Sequence, residues 1–220
     1  MDPASTDRYP ERATKILDRL RWRYPAPGSL IAWEDPWELL VATILAAQCS
    51  DARVNLVTPE FFRRWPTPVD LLPSGLEEIE NVIRSTGFFR NKAKHLKGSA
   101  AMIVQRFNGQ VPSRMPDLLQ LPGVARKTAN IVLSHAFGIN EGIAVDTHVK
   151  RLSFRFGLTS SKDPQVIEKD LMPLFPQDDW GLLNHILVLF GRDVCRASRP
   201  SCQRCPLPDL CPGHGLPPGS

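Results

Sequence analysis

Apolar residues recur along this chain at the three-to-four-residue spacing of an α-helix, and proline or glycine closes nearly every run. In 36–48, Trp37, Leu40, Val41, Ile44, Leu45 and Gln48 share one face. A second stripe runs through Phe89, Ala93, Leu96, Ala100, Ile103, Val104 and Phe107. Residues 126–137, 145–156 and 180–190 carry three more, through Ala129, Val132, Leu133, Ala136 and Phe137, through Val145, Val149, Leu152 and Phe156, and through Trp180, Leu183, Leu187 and Phe190. Weaker helical patterns cover 9–23, 51–64, 76–85, 116–120 and 164–172. Two-residue alternation, the mark of a half-buried strand, is absent. Pro25, Pro27, Gly28, Pro66, Pro68, Gly87, Gly109, Pro112, Pro122, Gly123, Pro173 and Pro176 fall between the runs. The 21 prolines, nearly twice the average share, therefore punctuate an all-α fold of about ten helices. The tail Gly213–Ser220 reads as disordered.

Composition excludes several classes. Hydrophobic residues at 42% and charged residues at 23% belong to a globular protein, not to a disordered tail or a coiled coil. With 220 residues the chain suits one or two domains. No apolar run is long enough to span a membrane. The opening MDPASTDRYPERATK carries no apolar stretch, so no secretory signal is expected and the reducing cytoplasm is the expected compartment. A net charge of +4 permits an anionic partner without requiring one.

Four of the five cysteines fall at Cys195-x6-Cys202-x2-Cys205-x5-Cys211. In a reducing compartment such a group points to a metal centre rather than disulfides. Pro206, Pro208 and Pro212 keep the segment out of a helix, so the thiols hang on a loop. Spacing leaves a four-thiolate iron–sulfur cluster, a zinc site and unligated thiols open. Arg192, Arg196, Arg199 and Arg204 interleave with the cysteines, either to meet phosphates or to offset the charge of a ligated centre. Cys49, beside an apolar helix, reads as a buried free thiol.

Residues 117–133, DLLQLPGVARKTANIVL, form a helix–turn–helix pattern in which a second helix opens at Ala125 or Arg126. Pro122-Gly123 makes the turn tight, and the N–H groups of Gly123, Val124 and Ala125 are expected to point outward and hold a phosphate. The bland alternative is an ordinary connection between helices. Lys127 lies off the apolar stripe, which for most lysines means a solvated surface. At a helix N-terminus, however, the dipole opposes a cation, and with Arg126 alongside it favours the neutral amine that Schiff-base chemistry needs. Asp146, in Ile143-Ala144-Val145-Asp146-Thr147-His148-Val149, reads first as a helix N-cap. An N-capping carboxylate is also fixed and ionised. Facing Lys127 across a cleft, it could take a proton and support positive charge on a sugar.

LAAQCSD (45–51), GFFRNKAKHL (87–96), LPGVARKTANIVL (121–133), AVDTHVKRL (144–152) and the 195–211 cysteines stand in the order seen in endonuclease III. The chain resembles that family of the HhH-GPD superfamily of DNA glycosylases over about 30–212.

The resemblance implies two helical domains with a DNA cleft between them. Residues 29–139 would form a six-helix domain ending in the helix-hairpin-helix, and 1–28 with 140–220 a second domain carrying the cysteine loop. It implies a bifunctional DNA glycosylase/AP lyase of base excision repair, excising oxidised pyrimidines and cutting 3′ of the abasic site by β-elimination. Lys127 would be the nucleophile and Asp146 the assisting carboxylate. Cys195, Cys202, Cys205 and Cys211 would hold one [4Fe–4S] cluster. Since a target base must leave the stack, Gln48 would fill the gap and Phe88, where relatives often carry Leu, would act as the wedge. Ala125 stands where a glycine is common, a change a helix-opening position accepts. Arg90, Lys94 and Lys97, at i, i+4, i+7, line one helix face, by default a solvated one but beside a wedge residue suited to phosphates, and His148 either helps shape the site or is a helix-surface or capping histidine. The expected partner is double-stranded DNA with damaged pyrimidines or abasic sites, bound by a monomer at the bacterial nucleoid, without a membrane. Two alternatives are weighed: an adenine-mismatch-type monofunctional glycosylase, which would lack the lysine, and a non-catalytic helix-hairpin-helix module with a structural metal, which would bind DNA blind to lesions.

Overall fold

A computed structural model describes residues 8–25 and 28–213; the tail read as disordered beyond Gly213, and Pro27, lie outside the described residues. Among the described residues every regular element is helical. The chain divides into two compact units, one of residues 29–141 and one of the N-terminal residues to Gly28 with those from Gly142 on.

The 29–141 unit is organised around α2 (Pro36–Leu45). Asp35 caps it by accepting from the Glu38 N–H, and Pro36 supplies a preset first turn. Trp37 and every residue from Leu39 to Leu45 are buried, so α2 is apolar all round, as a central helix must be. It packs on α3 (Asp51–Arg64), and further along the chain on α6 (Phe89–Phe107) and α8 (Arg126–Phe137). Between these lie α4 (Pro68–Leu71), α5 (Leu76–Ile83) and α7 (Met115–Leu118). The short α4 has no counterpart in the sequence periodicity. It is held by a capping box in which Thr67 and Asp70 exchange hydrogen bonds. Phe61 and Trp65 meet edge to face at 4.9 Å at the base of this core.

The chain departs from the sequence expectation at Gln48 and Cys49. The 36–48 stripe ends at Leu45, and Gln48 does not share the helical face. Its φ of +53° breaks the helix, and the Cys49 N–H turns to Ala46 O instead of continuing the ladder. Cys49 is half-buried rather than buried.

The other unit is built from α1 (Arg8–Arg23), α9 (Thr147–Arg155), α10 (Pro164–Leu171) and α11 (Trp180–Asp193), followed by the cysteine loop. Ala13, Ile16, Leu17 and Leu20 of α1 join Leu152, Phe156, Leu187 and Phe190 in its core. The basic last turn of α1 reaches residues far along the chain: Arg23 to Asp193 at 2.7 Å and Arg21 to Asp179. The 145–156 pattern begins one residue after Asp146, at Thr147, because Asp146 is the cap itself.

Candidate DNA-repair site

Two side chains in the 29–141 unit stand out by backbone conformation. Gln48 and Phe88 have φ of +53° and +48°, in the left-handed region that non-glycine residues avoid. A third such residue, Asn108, is an ordinary left-handed helix end. Gln48 and Phe88 have no such excuse, and each stores about 1–2 kcal/mol of strain. Both are exposed, Phe88 at 64%. An exposed aromatic ring held in a strained backbone is a tip built to project. Sequence periodicity carries no information on the sign of φ, so this strain is visible only in three dimensions.

The hairpin between α7 and α8 is seated on α6. Gly123 has φ of +81°, and a Cβ there would stand 2.8 Å from Nδ1 of His95, so the position demands glycine twice over. The Ser99 hydroxyl donates to Pro122 O at 2.8 Å, fixing the turn from below. One expectation is corrected: the Val124 N–H donates to Leu121 O at 3.1 Å, so it closes the turn and does not point outward. Gly123 and Ala125 are exposed, and no side chain caps the N-terminus of α8 at Ala125. An uncapped helix start of this kind suits an anion. Lys127 is exposed in the first turn of that helix.

Along α6, Arg90 and Lys94 are exposed. Arg90 lies over the Phe89 ring at 4.8 Å and within 3.9 Å of Glu80, a loose pairing that leaves it available to a phosphate. Lys97 leaves the row: its Nζ donates to Ser74 O and ties α6 to the turn before α5.

In the second unit, Asp146 is the N-cap of α9. One carboxylate oxygen accepts from the N–H groups of His148 and Val149, each at 2.8 Å. Asp146 is mostly shielded, and its other oxygen lies 3.5 Å from His148 Nδ1, a buried atom without a hydrogen-bond partner among the described residues. The His148 ring rests on α11, where a Cβ at Gly191 would meet its Cδ2 at 2.7 Å. Gly191 thus makes room for the ring beside the carboxylate.

The cysteine loop carries a turn of 3₁₀ helix at Cys202–Arg204 and a second turn in which the Cys211 N–H donates to Leu207 O, and Leu207 anchors it in the core. All four thiols are half-buried. Arg155 of α9 donates to Cys195 Sγ at 3.3 Å and to the carbonyls of Arg196 and Ala197, each at 2.8 Å. Arg151, one turn earlier, donates to the Gly191 and Cys195 carbonyls. The loop is therefore held by arginines of α9 and of α1, where Arg12 donates to Leu210 O and Arg19 to Pro206 O, more than by those interleaved with the cysteines. The i, i+4 spacing of Arg151 and Arg155 was readable, but their partners lie some forty residues away in sequence. Burial pushes the Cys205 and Cys211 thiols up, and neighbouring thiols of the set push the same way. Among the described residues no three His, Cys, Asp or Glu side chains converge closely enough to hold a metal ion. The donor set is nonetheless the soft, thiolate-only one that suits an iron–sulfur centre.

Residues 41–177 match the family model described as HhH-GPD superfamily base excision DNA repair protein. Endonuclease III of Synechocystis sp. is 54% identical over 202 residues, 92% of each chain. The chain belongs to the endonuclease III family. Endonuclease III of Bacillus subtilis is 44% identical over 196 residues, 89% of each chain. The structure of a trapped endonuclease III–DNA covalent intermediate matches with a TM-score of 0.88 at 42% identity, covering 93% of this chain and 96% of that one. A non-covalent endonuclease III–DNA complex matches equally well. A thermostable thymine-DNA glycosylase shares the fold, with a TM-score of 0.84 at 23% identity. The protein is an all-α DNA glycosylase/AP lyase of base excision repair. Family membership decides against a lesion-blind binding module. No helix among the described residues is long and apolar enough to cross a membrane.

Proposed function

We propose that this endonuclease III-family enzyme excises oxidised pyrimidines from double-stranded DNA and cuts 3′ of the abasic site by β-elimination. The observation that carries this reading is the exposed Lys127 in the uncapped first turn of α8, directly after the hairpin. A phosphate held by Gly123, Ala125 and the α8 N-terminus would bring the sugar within reach of the amine. The Lys127 nitrogen bonds to C1′ as the bond from C1′ to the base breaks, and the base leaves with a proton. The C1′–O4′ bond then breaks as the nitrogen lone pair forms the C1′=N bond, and O4′ takes a proton from solvent, giving a protonated Schiff base. Its positive charge makes the C2′ proton acidic; loss of that proton drives out the 3′ oxygen. Water then releases the lysine.

Asp146 accepts the amine proton and offsets charge on the sugar. Its two backbone hydrogen bonds keep it aimed, and His148 packs beside it. Gln48 fills the space of the departed base and Phe88 wedges the stack, while Arg90, Lys94 and the hairpin hold phosphates. Cys195, Cys202, Cys205 and Cys211 would hold one [4Fe–4S] cluster, which would tie the loop together. The enzyme works as a monomer on chromosomal DNA in the cytoplasm of a bacterium.

Borohydride reduction tests the chemistry. With duplex DNA carrying thymine glycol or an abasic site, the wild type should form a covalent adduct, and Lys127→Ala should form none while retaining its helical fold. A wild type that neither nicks nor traps overturns the reading. Iron and sulfide analysis tests the centre: zinc in stoichiometric amount without iron would refute the cluster.

A further inference from the structure

Lys92 is 4% exposed, on α6, and belongs to none of the groups assigned above. Its ammonium donates to two carbonyls, Leu45 O and Thr86 O, each at 2.8 Å. Both carbonyls are chain ends of a kind. Leu45 closes α2, and the N–H that would continue the helix onto it, that of Cys49, has turned to Ala46 O. Thr86 closes the turn of 3₁₀ helix that follows α5, just before the chain enters two successive left-handed residues, Gly87 and Phe88. Gln48 follows Leu45 by one short turn, and Phe88 follows Thr86 by two residues. One buried cation therefore grips the roots of the two strained, exposed tips. The location is expensive: burial pushes the ammonium's pKa down, and the nearby Cys49 thiol only partly opposes this. A core position that needed only volume would take an apolar side chain more cheaply.

We propose that Lys92 is a positioning residue that fixes the Gln48 and Phe88 tips at one separation, so that gap filling and wedging occur together when a nucleotide leaves the duplex. This rests on the reading of Gln48 and Phe88 as the inserted residues. A charge donating to two carbonyls is stiffer than packing alone, and insertion into a base stack demands a fixed spacing.

A single-stranded abasic site has no stack to open, so it isolates the chemistry from the insertion. Cleavage of one abasic site is measured in duplex and in single-stranded DNA, with 2-aminopurine beside the site reporting unstacking in the duplex. Lys92→Met should lower the ratio of duplex to single-strand rates about tenfold and slow the 2-aminopurine rise. Lys92→Arg, which keeps charge and donors at a different reach, should fall between and carries the test if the Met variant does not fold. Gln48→Ala and Phe88→Ala should lower the same ratio. If those two lower it while both Lys92 variants keep the wild-type ratio, the clip is overturned. Equal losses on both substrates in the Lys92 variants overturn it as well, since they mark ordinary core packing. If Gln48→Ala and Phe88→Ala leave the ratio unchanged, the reading of the tips fails first, and the inference falls with it.

Discussion

At the scale of the residue, strain and the proposed function coincide. Phe88 keeps a left-handed backbone and is 64% exposed, so neither conformation nor burial rewards the side chain. Asparagine tolerates that backbone and loses little contact there. Phe88→Asn should therefore unfold at the wild-type temperature or slightly above it, gaining up to about 1 kcal/mol, while losing roughly tenfold in cleavage of a duplex lesion. Thermal denaturation beside a duplex assay checks both signs. A matched loss of stability and activity would mean the ring belongs to the fold. Gly123 behaves in the opposite way. A Cβ there meets His95 at 2.8 Å on a backbone already at φ +81°. Gly123→Ala should cost about 2–3 kcal/mol and weaken duplex binding together, because the turn and the proposed phosphate site are the same atoms. The glycine was readable from Pro122-Gly123 alone. The strain at Phe88 was not, since nothing in GFFRNK distinguishes a ring in the core from a ring in solvent.

At the scale of the element, Asp146 combines a cap with a proposed chemical role, and two substitutions separate them. Asparagine caps helices as well as aspartate does but carries no charge. Asp146→Asn should stay within about 0.5 kcal/mol of the wild type in stability and lose adduct formation and cleavage. Asp146→Ala should lose about 1 kcal/mol as well, since two N–H groups of α9 lose their acceptor. Urea unfolding and borohydride trapping on both variants decide it; an active Asp146→Asn protein would reduce Asp146 to a cap. The helices themselves were legible because each long one buries a stripe at its own period. α4 was not, since four residues hold too little of a period, although Thr67 and Asp70 spelled its capping box. The end of α2 was misread for a related reason. Gln48 falls at the right spacing, and periodicity alone does not register a reversed φ three residues past the last helical turn. The grip of α9 on the cysteine loop was equally hidden, because Arg151 and Arg155 find partners that only the fold brings near.

At the scale of the molecule, the N-terminal helix is fastened to the C-terminal half of the chain by its buried apolar stripe, and charge pairs at its rim add to that. Arg23 and the Tyr24 hydroxyl both donate to Asp193, at 2.7 and 2.8 Å, and Arg19 pairs with Asp209 through both carboxylate oxygens. The hydrogen bonds from Arg23 hold the Asp193 carboxyl below its ordinary value of 3.8, and Tyr24 helps. A carboxylate whose folded value lies below its unfolded one binds fewer protons when folded. Its stabilisation is therefore complete above 3.8 and fades as pH falls through the lowered folded value. Asp193 is 40% exposed, so solvent screening holds its contribution to about 1 kcal/mol. Asp193→Asn should accordingly lower the unfolding free energy by about that amount at neutral pH. The gap between variant and wild type should close as pH falls below 3.8, since the wild-type carboxylate then takes up the proton that the amide never binds. Urea titrations at neutral pH and at successive acid steps measure the gap. A gap that is constant across the series would place the effect in shape rather than charge, and one that widens in acid would reverse the assigned sign.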